Sequence, residues 1–291
     1  MADESARFDH LDGAARLAAL ATLRSRIIVN VVVALAVLLS WAALAAMAAG
    51  AAQFALPGES GPGDSLLHGL PDLPLPDWAG RFFALCLTPV AASGSFGFLF
   101  LWLMWTLMAV AMMLPSASPM IRTYCEIADT ARAKGEAAVH PLVLIAGYLA
   151  VWIGASAAFA GVSLAVQARA GAPVAGYAAV AALAIAGLYQ FSALKQACLK
   201  KCRNPFATLF SRWSSRPSRI FRLGMAQGVW CLGCCWALML VMFAVGTMNI
   251  FWMALIGLFT VVEKQTSGRF ATRLAGAILL VWATALLLVS R

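Results

Sequence analysis

Residues 27–50 form an apolar run without one charged side chain. If helical, at about 1.5 Å per residue, the run exceeds the roughly 20 residues that cross the hydrocarbon core of a bilayer. A helix keeps every backbone hydrogen bond inside the segment, which that medium demands. Similar runs recur at 96–114, 142–167, 174–194 and 275–289, and 227–262 is a longer one. The fold expected is therefore all-α, a polytopic transmembrane helical bundle. Composition agrees: 63% of the 291 residues are hydrophobic and 11% charged, against about 25% charged in a soluble domain. This leaves no room for a soluble catalytic domain.

The runs organise into two regions. Residues 1–26 mix Asp3, Glu4, Asp9 and Asp12 with Arg7, Arg16, Arg24 and Arg26, and read as a cytoplasmic amino-terminal segment. The apolar run behind them is longer than a signal-peptide core and has an acidic lead. Although Ala46-Met47-Ala48 mimics a cleavage site, it is read as a retained first span. Residues 27–291 form a single membrane domain. Within it, 53–94 is a Gly- and Pro-rich extracytoplasmic loop, where Trp78, Phe82 and Phe83 flank Arg81 as a membrane-surface anchor.

Eight Lys and Arg fall between Lys195 and Arg222, against one in the 53–94 loop. The net charge of +9 thus follows the positive-inside rule rather than marking a nucleic-acid binder. It places 195–223 in the cytoplasm as a basic loop, along with the loop carrying Arg122, Cys125, Arg132 and Lys134, and puts the amino terminus inside. The location expected is a bacterial inner membrane. Pro115 and Pro119 are expected to stop the second helix, and 206–213 to lie as a short helix on the membrane surface, its Phe206, Leu209, Phe210 and Trp213 in an i, i+3, i+4, i+7 pattern. Residues 227–262 are long for one crossing and short for two, so a hairpin breaking at Gly246-Thr247-Met248-Asn249 is expected. That gives about seven spans, or six if the hairpin is re-entrant.

The candidate chemistry is sulfur. On a helix at about 100° per residue, Cys231, Cys234, Cys235, Met239 and Met242 fall within an arc of about 140°. Cys198 and Cys202 are one helical turn apart, with Lys195, Lys200, Lys201 and Arg203 beside them to favour thiolates. Met104, Met108 and Met112 form an i, i+4, i+8 ladder about 12 Å long. The basic loop joins the Cys198 and Cys231 regions at one face, so the five thiols are expected to meet at the cytoplasmic ends of their helices. Six of the seven cysteines then face a reducing compartment and serve as thiols or ligands, not as disulfides. The third run, 142–167, has no ionisable side chain beyond Tyr148 and is assigned no chemistry.

Three blocks carry a family resemblance. They are Met104-Trp105 through Met112-Met113-Leu114-Pro115; Gly187-Leu188-Tyr189-Gln190 with Leu194-Lys195, Cys198-Leu199 and Cys202-Arg203-Asn204-Pro205; and Cys231-Leu232-Gly233-Cys234-Cys235-Trp236 through Leu238-Met239, Gly246, Met248-Asn249, Trp252-Met253 and Glu263-Lys264. Over roughly 95–270 the chain resembles a bacterial family of predicted metal-binding integral membrane proteins, a domain of unknown function. The resemblance implies metal binding but carries neither a metal nor an activity.

The residues themselves select a soft ion. Thiolates backed by thioethers suit Cu(I), with Zn as the second choice. The candidate ligands are Cys198, Cys202, Cys231, Cys234 and Cys235, with Met108, Met112, Met239 and Met242 leading deeper. Glu263 either pairs with Lys264 or Lys195 or closes a harder, mixed site. Partners expected are the lipid bilayer and another membrane or metal-carrying protein. Two other readings stand beside this one: a thiol–disulfide oxidoreductase cycling Cys234 with Cys235 or Cys198 with Cys202, and a structural subunit of a membrane complex whose sulfurs only pack.

Overall fold

A computed structural model describes residues 13–54, 95–168, 172–245 and 249–289, and among them the chain is helical with no strands. The helices are α1 (Gly13–Phe54), α2 (Ser95–Ser116), α3 (Ser118–Ala133), α4 (Pro141–Ala168), α5 (Ala172–Gln190), α6 (Ala193–Arg203), α7 (Pro205–Ser211), α8 (Pro217–Leu240), α9 (Met242–Val245), α10 (Ile250–Gln265) and α11 (Phe270–Val289). The surface anchor expected around Arg81 and the break at Gly246-Thr247-Met248 lie outside the described residues.

Among the described residues, five helices are long and apolar enough to cross a membrane: those containing Arg26–Ala48, Gly97–Ser116, Pro141–Val166, Pro217–Val245 and Phe270–Val289. A sixth is counted if Tyr177–Gln190 and Ala193–Arg203, bent by 66°, form one broken span. The second arm of the expected hairpin, α10, has 16 residues, about 24 Å, and is not among these. Large apolar side chains face outward on every one of these elements, among them Leu39, Leu103, Val162, Leu188, Val229 and Val281.

Two boundaries differ from expectation for clear reasons. Pro115 lies inside the last turn of α2, and Pro119 sits in the first turn of α3, where a missing N–H removes no helical bond. The chain therefore stays helical through Ala133, and the expected loop is an amphipathic helix burying Met120, Ile121, Tyr124, Cys125 and Ala128. Similarly, α8 begins at Pro217 rather than near residue 227. The helix expected at 206–213 is present as α7, with Phe206 and Phe210 exposed but Leu209 fully buried.

Helices α4 and α8 pack backbone to backbone at two glycines. A Cβ on Gly147 would sit 2.1 Å from the Phe221 carbonyl oxygen, and one on Gly224 2.1 Å from that of Leu144. Backbones approach this closely only where side chains are absent. The α2 helix is tied to α4 by Trp102 Nε1 donating to the Ile153 carbonyl (2.8 Å) and Trp105 Nε1 to Ser163 Oγ (2.9 Å). At one end, Arg26 of α1 pairs with Asp129 of α3, and Tyr124 of α3 packs on Trp213 beyond α7, ring centroids 5.4 Å apart. That end therefore gathers the start of the first apolar run, α3 and the basic segment.

Candidate metal centre

The centre begins with helical spacing in α8. Cys231, Cys234 and Cys235 share one face, and their Sγ atoms all lie within 4.8 Å of one another. Each is at most 2% exposed. Cys234 Sγ is 3.2 Å from Cys235 Sγ and donates to the Cys231 carbonyl at 3.1 Å. Cys231 stands fourteen residues (231 minus 217) past the start of α8, about 21 Å along it. The thiols are thus midway along this helix, not at its end as expected.

The bent α6 helix brings the other two cysteines to the same level. Ser192 Oγ caps α6 by accepting from Lys195 N at 3.1 Å, just after the bend. Cys202 Sγ then lies 3.8 Å from Cys234 Sγ. Cys198 Sγ packs where a Cβ of Gly233 would be, 2.6 Å from that position. The two groups of cysteines therefore meet in space, although only Cys231, Cys234 and Cys235 form a set in which every sulfur pair is within 4.8 Å.

The cations around the sulfurs are not the ones expected. Lys264 Nζ, from α10, lies 2.9 Å from Cys231 Sγ and 2.7 Å from Ser116 Oγ. Tyr148, on the helix to which no chemistry was assigned, sets its hydroxyl 3.0 Å from Cys231 Sγ while donating to the Met113 carbonyl at 3.0 Å. Lys195 instead points to Glu263 Oε2 (3.0 Å) and to the Cys234 carbonyl (3.0 Å). Lys200 and Lys201 are exposed, and Arg203 donates twice to the Glu263 carbonyl, at 3.1 and 2.8 Å.

Glu263 is fully buried, and both carboxylate oxygens are engaged, Oε2 by Lys195 and Oε1 by Thr272 Oγ1 at 2.8 Å. Of the two roles weighed for it, the structure shows the ion pair with Lys195. His140 Nδ1 accepts from Leu142 N at 3.3 Å and so caps the start of α4. Cys125 stands apart on α3, where burial and then the Asp129 carboxylate push its thiol pKa up.

The thioethers are buried: Met108 at 0%, Met112 at 1%, Met239 at 1% and Met242 at 0% exposure. Met112 packs across from Gly257 of α10, its Cγ 3.5 Å from where a Cβ would stand. Met239 follows Cys235 by one helical turn and Met242 by about 10 Å of rise.

What the arrangement can do chemically follows from the donors. Three sulfurs free of solvent, with an ammonium against one of them, offer a soft ion a compact trigonal seat. Metal–sulfur bonds of about 2.3 Å place the sulfurs of such a seat about 4 Å apart, within the observed spread. Sequence reasoning named all three cysteines but missed Lys264, Tyr148 and Ser116, the side chains that surround Cys231.

No curated protein and no solved structure matches the chain. A family described as a copper chaperone does match, over more than half of the chain and across all three resemblance blocks. The metal-related part of the resemblance is met; that description names copper and says nothing of a membrane. With residues 102–286 matching its model, the chain belongs to the PpoB2 copper-chaperone family.

Proposed function

We propose that the chain is an integral membrane protein that binds Cu(I) on Cys231, Cys234 and Cys235 and passes it to another metal-carrying protein. The observation that carries this reading is the buried trio of sulfurs within 4.8 Å. Copper is the cargo here, not a resident cofactor. Cu(I) accepts three soft ligands, whereas structural Zn takes four; Cys202 stands outside the mutually close set, so the preformed seat has three. The Lys264 ammonium at 2.9 Å from Cys231 offsets the charge that thiolates bring into a medium where unpaired charge is costly.

In this reading the five apolar helices and their outward apolar faces lie in a bacterial plasma membrane. The start of α1 and the basic segment after α6, residues 204–223, face the cytoplasm, α6 reaches in to the level of the trio, and the 53–94 loop faces outward. Met108, Met112, Met239 and Met242 lead away from the trio as weaker thioether ligands. A thiol–disulfide role draws support from the 3.8 Å between Cys202 and Cys234, and copper uptake under reducing conditions separates the two readings.

The test is anaerobic titration of the detergent-purified protein with Cu(I) against a chromogenic chelator. The expected result is one tightly held copper per chain, abolished when Cys231, Cys234 and Cys235 are changed together to Ser. Retention of copper by that triple variant, or co-purified zinc that copper cannot displace, contradicts the assignment.

A further inference from the structure

We infer that Cys202 is the exchange thiol through which copper enters and leaves the buried trio, an inference that rests on the copper-binding reading above. Three observations converge on it. First, Cys202 is partly exposed, while Cys198, Cys231, Cys234 and Cys235 are buried. Second, its sulfur is 3.8 Å from that of Cys234. Two metal–sulfur bonds of about 2.3 Å reach across at most about 4.6 Å, so one copper ion can bridge these two sulfurs without either helix moving. Third, the other approaches are filled: Lys264, Ser116 and Tyr148 cover Cys231, Cys235 is 0% exposed, and Cys198 is wedged against Gly233.

The transfer balances without any redox change. Copper arrives as Cu(I) on three donor thiolates. A bond from Cys202 sulfur to copper forms as the first donor bond breaks, and the proton lost by Cys202 goes to the departing donor thiolate. Cys234 and Cys235 then replace the second and third donor thiolates, each passing its proton to the thiolate that leaves. Last, Cys231 bonds the ion as the Cys202–copper bond breaks, its proton going to Cys202. Copper stays in the +1 state throughout, and the four bonds made match the four broken. Release runs the same steps backward.

The surface beside Cys202 suits an anionic carrier. Lys200 and Lys201 immediately precede it in the chain and are exposed. A Cu(I)–thiolate complex bearing net negative charge is drawn to such a patch, and salt weakens the attraction.

The experiment uses the full chain in detergent under anaerobic conditions, with Cu(I)–glutathione as the donor, and follows both the rate of loading and the final copper per chain. Cys202→Ser is expected to reach the wild-type final content about tenfold or more slowly, since one stepping bond is lost from the path. Lys200→Glu with Lys201→Glu is expected to slow loading about tenfold at low salt, and less at high salt. Cys125→Ser, remote from the path, sets the rate of an unaltered chain. Loading of Cys202→Ser at the wild-type rate overturns the relay alone, and loss of final copper in that variant overturns it by making Cys202 a resident ligand. A wild-type chain that takes no copper sinks the parent reading and the relay together.

Discussion

Cys231 is touched by an ammonium from α10 and a phenol from α4. Truncating Lys264 to Met removes the only neighbouring positive charge that bonds to this sulfur among the described contacts. Leaving a buried charge uncompensated costs about 3 kcal/mol or more, so Lys264→Met is expected to weaken Cu(I) about a hundredfold in chelator competition. Its neighbour behaves differently. Glu263→Gln leaves Lys195 buried opposite a neutral amide, and is expected to lower stability by about 3 kcal/mol in detergent unfolding while the copper per chain stays at one. Loss of copper by a folded Glu263→Gln variant would make Glu263 a ligand after all. The sulfur arc was legible in the sequence because helical period alone sets it. The partners of Cys231 were not, because Lys264 and Tyr148 lie 33 and 83 residues away, and only packing reveals which of several lysines arrives.

Helix α8 meets its neighbours through glycine, and those contacts set the heights at which side chains from different helices meet. Gly224 and Gly147 let α4 approach closely enough for Tyr148 to reach Cys231, and Gly233 makes room for Cys198. Gly224→Ala drives a methyl group into the Leu144 carbonyl region, where no flexible side chain can yield, and is expected to cost about 3 kcal/mol. Gly154 on α4 has nothing within 4 Å of its would-be Cβ, so Gly154→Ala is expected to be neutral or to stabilise by up to about 1 kcal/mol. Thermal unfolding of both variants checks the contrast; equal effects would contradict the close α4–α8 crossing. The apolar runs foretold α1, α2, α4, α5 and α11, whereas α8 starts ahead of its run, at Pro217. Helix α3 was hidden by its charges and by two prolines that stop a helix only when they fall past its first turn. The bend after Gln190 was hidden as well, since Phe191 and Ser192 look like more of the same run.

At the scale of the whole molecule, the buried polar network and the sulfur site share one level of the bundle. Lys195, Glu263, Thr272 and Lys264 are all at most 5% exposed, and they link α6, α10 and α11 around α8. Much apolar surface remains outside, with Leu38, Leu258 and Val281 each more than 60% exposed. Helix α10, at 16 residues, is shorter than half of the full hairpin that its sequence suggests. The central claim is that three sulfurs of α8 hold one Cu(I) ion inside this bundle. X-ray absorption at the copper edge of the copper-loaded protein tests it most directly. The account predicts about three sulfur neighbours at about 2.3 Å with no nitrogen or oxygen shell, in a spectrum absent from the Cys231, Cys234, Cys235 triple Ser variant. Four ligands including oxygen or nitrogen, or the same spectrum from the triple variant, would contradict it.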